Sequence, residues 1–170
     1  MAGLEHPADR DASAAAEGSV RALRRAMAAS PGVVTPQLAR SLQATENHWR
    51  NMGAECGLLT SGQVAELLGA SPSNRNLASR KRAAHQIAGV ARGNAVLYPG
   101  FQFDRTRGAI LPVMELLIRL ATANGWTDED LLLWLYSPTT SFADEGRPID
   151  HLHDPDSVLA AAKAAFEAEW

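Results

Sequence analysis

Two helix starts stand within a dozen residues of one another between Leu58 and Ser73, and no other stretch restricts the fold as tightly. Thr60 and Gln63 have capping-box spacing: the Thr60 hydroxyl accepts from the third backbone N–H of a helix and Gln63 reaches back to the cap. Gly69 ends that helix in the usual C′ position, and Ser71-Pro72 opens the next as N-cap and N1. Two short helices joined by a tight turn make a helix-turn-helix. In such a unit the small Ala65 lets the helices approach, and Val64, Leu67 and Leu68 form their shared core.

The second helix then holds Ser73, Asn74, Arg75, Asn76, Ser79, Arg80, Lys81 and Arg82, a mixture of phosphate-seeking cations and base-edge amides. Beyond it, Gln86 to Val90 and Ala95 to Tyr98 read as short strands across an Arg92-Gly93-Asn94 turn, a β-hairpin wing with a cation at its tip. The charge supports the same reading. The chain carries −3 overall, yet Ser73 to Arg107 holds seven basic residues against Asp104, and Gly108 to Trp170 holds eleven acids against three bases. A basic half attracts a polyanion, and an acidic half repels one and stays free for another partner. The plain alternative for the basic cluster is a solvated helix face, which its coincidence with two capped helices and a hairpin disfavours. Asn74, Arg75 and Asn76 are the candidates nearest the bases of double-stranded DNA, with Ser79, Arg80, Lys81, Arg82 and Arg92 serving affinity.

Before this unit, residues 1–18 read as a leader without structure, and a short helix from Ser19 to Ala29 stops at Pro31-Gly32. From Pro36 to about Gly53, Leu38, Leu42, Thr45, Trp49, Met52 and Cys56 follow alternating four- and three-residue steps, a coiled-coil-like seam. That seam either pairs with its own copy in a dimer or packs against the adjacent domain. Cys56 is the single cysteine, so no intramolecular disulfide forms and a reducing, cytoplasmic setting is expected. The longest apolar run, Ala109 to Ala123, is broken by Glu115 and Arg119, which suits a half-buried helix and not a membrane span.

The C-terminal segment reads as a helical module. Pro112 opens a helix with Val113, Leu116, Leu117 and Leu120 on its apolar face, and Gly125 ends it. Thr127 caps the next, Leu131 to Tyr136, with Asp128, Glu129 and Asp130 in the first turn, where the helix dipole favours them. Pro138 stops it. Asp154-Pro155 starts a last helix in which Val158, Ala162, Phe166 and Trp170 recur every four residues.

Two resemblances add to this reading. Leu58 to Gly69, followed by Leu97-Tyr98-Pro99-Gly100-Phe101-Gln102-Phe103-Asp104, resembles a winged, excisionase-like or MerR-like DNA-binding unit. Such units place an aliphatic residue near the start of the second helix where this chain has Asn74-Arg75-Asn76, so that helix is expected to be tilted, shifted in register or irregular. Trp134-Leu135-Tyr136-Ser137-Pro138, Phe142, Gly146-Arg147-Pro148-Ile149-Asp150-His151-Leu152 and Asp156-Ser157-Val158 are similar to the toxin-binding domain of the Xre/MbcA/ParS antitoxin family. That resemblance implies a cognate toxin, commonly of the NAD-depleting RES type, and repression of its own operon. It makes Trp134, Arg147, Pro148, Asp150, Phe166, Glu167, Glu169 and Trp170 the toxin-binding candidates. Trp170 fills a pocket either in this chain's own core or in the partner.

Competing chemistry is thin. Asp150-His151-Leu152-His153-Asp154 offers two imidazoles and two carboxylates, but no ligand comes from a second element, and no metal or cofactor is expected. There is no GxxxxGK[ST] or GxGxxG loop, no GxSxG elbow and no cysteine with a nearby base, so an enzyme is not expected. The expectation is a mainly α-helical protein in four parts. These are a leader (1–18), N-terminal helices able to dimerise (19–56), a winged helix-turn-helix (57–108) and a helical toxin-binding module (109–170). It would act as a homodimeric antitoxin that also binds its operator, or as a stand-alone transcription or recombination-directionality factor.

Overall fold

Capping side chains and turn glycines set the helix limits in the computed structural model, which describes residues 35–168. The leader, the Ser19–Ala29 helix, Glu169 and Trp170 lie outside the described residues. Thr35 Oγ1 accepts from the Leu38 amide, Pro36 takes the first turn and Gly57 closes the end at φ +78°, so helix α1 runs Pro36–Cys56. Its seam divides. Trp49 and Met52 are buried in the main core, whereas Leu38 and Leu42 are 41% and 40% exposed. The C-terminal half therefore packs on the rest of the molecule and the N-terminal half leaves its apolar residues open.

The capping box at Thr60 forms in both directions and starts helix α2, Ser61–Leu67; Gly69 follows at φ +80°. Helix α3, Asn76–Ala83, begins later than the Ser71-Pro72 signal predicts. Ser71 Oγ accepts from the Ser73 amide and shares a 2.8 Å hydrogen bond with its hydroxyl. The Asn74 and Arg75 amides donate to the Ser71 and Ser73 carbonyls. These local bonds compete with helix and close residues 71–75 into turns. The shift brings Leu77 and Ala78 to the helix start, so the missing aliphatic residue is Leu77, one position beyond Asn76. Ala78 is fully buried in a small core with Val64, Ile87, Tyr98 and Phe103.

The wing is shorter than expected. Residues 86–89 are not strand; β2 is Val90–Arg92 and pairs antiparallel with β3, Ala95–Pro99, through a two-residue Gly93-Asn94 loop with Gly93 at φ +60°. Arg92 therefore belongs to the strand, opposite Ala95, and not to the tip. Strand β1, Leu58–Leu59, adds on the other edge of β3. A 3-10 turn at Gly100–Gln102 leads into a second hairpin of β4, Phe103–Asp104, and β5, Ala109–Ile110.

Gln102 is the buried polar side chain of this region. Its amide accepts from the Ala88 N–H at 2.6 Å and donates to the Ala88 and Pro99 carbonyls. It thus satisfies backbone groups that no strand partner reaches.

Three helices follow: α4 Pro112–Ala123, α5 Asp128–Tyr136 behind the Thr127–Asp130 capping box, and α6 Pro155–Phe166 capped by Asp154. A loop and a 3-10 turn, Pro148–His151, join α5 to α6. Their core takes in Trp49 and Met52 of α1 and Ala88 and Val90 of the wing. The boundary expected after residue 108 falls in the turn of the β4–β5 hairpin, and the helical module shares its core with α1 and the wing. The chain is thus mainly helical with small antiparallel sheets, and no described helix is long and apolar enough to cross a membrane.

Candidate nucleic-acid interface

Helix α3 turns about 100° per residue, so its eight residues sort by direction. Asn76, Ser79, Arg80 and Ala83 recur at i, i+3, i+4 and i+7 and are all exposed. Ala78 faces inward against α2. Leu77 and Lys81 share one flank, and Arg82 takes the other. Arg75, at the N-cap, continues the exposed stripe four residues before Ser79. Arg75 and Arg80 form no ion pair among the described residues, which leaves both guanidinium groups free for phosphate or a base edge. Ser79 Oγ donates back to the Asn76 carbonyl. Ser73 is exposed and Asn74 half-buried on the preceding turn.

Two predicted DNA contacts are engaged inside the molecule instead. Arg82 Nε donates to Asp128 Oδ2 at 2.7 Å, and that oxygen also accepts from the Gly89 amide. The acid at the N-terminus of α5 thereby ties α3 and the root of the wing to the helical module. Arg92 forks onto Glu46 at 2.6 and 2.9 Å and lies over the Trp49 ring, 5.8 Å from its centroid. The hydrogen bonds from Arg92 hold the Glu46 carboxyl below its ordinary range. The wing's cation is thus bound to α1. The partners in both pairs are acids far away in sequence, and no local pattern announces them.

The toxin-binding candidates are also engaged. Trp134 packs edge-on to Phe166, 5.0 Å between centroids, and Phe166 lies 4.2 Å from Trp126 and is buried. Pro148 is buried. Arg147 donates to Glu55 with both terminal nitrogens and to Asp150, and stands 4.8 Å over the Tyr136 ring. Of that set only Glu167 is exposed and without such a contact among the described residues. The Asp150–Asp154 cluster disperses: Asp150 serves Arg147, Asp154 caps Ser157, and His151 stacks on Phe142 with its Nε2 3.4 Å from Asp144.

No protein-family model matches this chain, and no curated protein does. A solved structure described as the NMR structure of Rv2175c is similar to it, with a TM-score of 0.54 and 27% identity over 64% of this chain and 80% of that one. The likeness supplies a solved example of this arrangement of elements and assigns it no activity.

Proposed function

We propose that the chain is a cytoplasmic DNA-binding regulator that inserts α3 into a major groove. The observation that carries the reading is the exposed Asn76–Ser79–Arg80–Ala83 stripe, preceded by Arg75, on the second helix of a capped helix-turn-helix. Small and amide side chains on the outward face let a helix sit close to base edges, and the two arginines without an ion pair among the described residues match phosphate or guanine. Arg82 and Arg92 act indirectly, by fixing α3 and the wing to the helical module. The open Leu38–Leu42 half of α1 offers a second copy a contact, and paired copies read paired half-sites.

An antitoxin role remains the second reading and rests on the Trp134 to Val158 resemblance. It is less well supported, because Trp134, Arg147, Pro148, Asp150 and Phe166 are all engaged in contacts within the chain.

Titration of a fluorescent 30-base-pair duplex across a salt series tests the main reading. Affinity should fall by about a thousandfold or more between 50 and 200 mM salt if several phosphates are contacted. Arg75→Ala and Arg80→Ala should each weaken binding and lower the salt slope by about 1 if they meet phosphate. Salt-independent binding, or binding unchanged in both variants, overturns the assignment. Co-purification with a neighbouring gene's product, abolished by truncation after Ala165, would instead favour the antitoxin.

A further inference from the structure

Behind the exposed stripe, the Leu77–Lys81 flank of α3 forms one wall of an open cavity of about 480 Å³. Leu68 closes it from the end of α2, and Ile110, Leu111 and Pro112 close it from the β5–α4 corner. Its floor is therefore apolar and spans the joint between the helix-turn-helix and the helical module. Three polar side chains stand around it: Lys81, Gln86 and Glu115. Glu115 is already neutralised by Arg119, whose Nε and Nη2 both donate to its Oε1 at 3.1 and 2.9 Å. Lys81 and Gln86 are both half-buried residues, and their polar ends have no hydrogen-bond or ion-pair partner among the described residues.

We infer that this cavity is a binding site for an apolar monocarboxylate, with the tail on Leu68, Leu77, Ile110 and Leu111 and the carboxylate on Lys81 and Gln86. The volume is that of a small-molecule pocket, and an apolar lining with a few convergent polar groups is the usual makeup of one. The sign of the ligand follows from charge: Lys81, Glu115 and Arg119 sum to +1, so one anion balances the site. An ammonium and an amide with no acceptor among the described residues gain charge-assisted hydrogen bonds from a carboxylate and nothing from an amine. Lys81 stands about 100° around α3 from Arg80, so the ligand occupies a different side of the helix from the stripe. Its consequence for DNA rests on the proposed function: cancelling a positive charge on α3 weakens phosphate attraction, and the two ligands then oppose each other reciprocally.

The test is a titration of the full chain with sodium decanoate below its micelle concentration, followed by amide NMR shifts. Saturable shifts are expected at Leu77, Lys81, Gln86, Ile110 and Leu111. Lys81→Met, which keeps an apolar stem, should weaken binding by about tenfold, and Lys81→Arg should retain it. Decylamine, with the same tail and opposite charge, should bind more weakly than decanoate. Equal binding of the two amphiphiles, an unchanged Lys81→Met, or an absence of saturable shifts overturns the site. So do shifts at these residues that track protein concentration and not decanoate, because a second copy would then fill the groove. The NMR readout involves no DNA, so the site stands if duplex binding fails, and the DNA reading stands if decanoate does not bind.

Discussion

Arg147 and Glu55, 92 residues apart, meet in a two-pronged pair: Nη1 donates to Oε2 at 2.8 Å and Nη2 to Oε1 at 2.7 Å. Tyr136 adds its hydroxyl to the same carboxylate at 2.7 Å. The pair joins the end of α1 to the 3-10 turn before α6 and so ties together the two ends of the stretch between residues 55 and 147. The Arg147 and Tyr136 hydrogen bonds hold the Glu55 carboxyl at about 2 against an ordinary 4.5, and burial together with Glu55 pushes the Tyr136 hydroxyl up to about 12.

An acid limb of instability follows. A carboxyl whose folded pKa is depressed binds its proton more readily in the unfolded chain. Its contribution is complete above about pH 4.5 and is lost as the pH falls toward about 2. Glu55 is about half exposed, so solvent screening limits the pair to about 1 kcal/mol. Urea melts of the native chain and Glu55→Gln should differ by about that much at pH 6 and converge near pH 2. A constant gap over that range excludes the linkage.

Gln102→Leu should cost about 2–4 kcal/mol although it keeps the side chain's bulk. The change strands the Ala88 N–H and C=O groups, buried beside a side chain with no solvent exposure. Thermal melts give the size, and hydrogen exchange at the Ala88 amide gives the cause: protection there should fall further than in α5. Uniform loss across both places would mean the cost arises elsewhere.

Two glycines separate crowding from backbone conformation. A Cβ at Gly100 would overlap the Cys56 carbonyl, a backbone atom that cannot turn aside, so Gly100→Ala should destabilise by more than about 2 kcal/mol. At Gly69, φ is +80° and nothing lies within 4 Å of an added Cβ. Gly69→Ala should therefore cost only about 1 kcal/mol, the penalty of a left-handed backbone. Denaturant midpoints of the two variants check the order, and equal losses would contradict it.

The cations of α3 should separate by function. Arg80→Ala is expected to leave the melting temperature within about 2 °C and to weaken duplex binding, since an exposed residue away from packing changes stability by about 0.5 kcal/mol or less. Arg82→Ala should lower stability by about 1 kcal/mol through the lost Asp128 pair, and a double-mutant cycle with Asp128→Ala should return most of that as coupling. An Arg82→Ala chain of native stability with lost DNA binding would move Arg82 to the outward face.

What the sequence determined by itself is the set of local decisions. Thr60 with Gln63, Thr127, Asp154-Pro155 and the turn glycines mark helix ends through bonds made within four residues, and the structure keeps these ends. The basic and acidic halves, the buried Val158–Ala162–Phe166 stripe and the presence of a hairpin around Gly93-Asn94 are legible too, although Arg92 lies in the strand and not in the turn. Ser71-Pro72 is the local signal that misleads. Two nearby serines form a competing turn, and the next residues able to bury, Leu77 and Ala78, set the start of α3.

Only the tertiary structure decided which cations pair with acids among the described residues. Arg75, Arg80, Arg82 and Arg92 all read from the sequence as DNA contacts, and no local signal says which of them are engaged within the molecule. Asp128 and Glu46, each 46 residues away, take Arg82 and Arg92, and leave Arg75 and Arg80 outward. The division of the α1 seam at Trp49, the wedge of Gln102 against Ala88 and the cavity beside Lys81 have the same origin. Each depends on groups brought together by burial of a shared core, and long-range burial has no period or spacing along the chain.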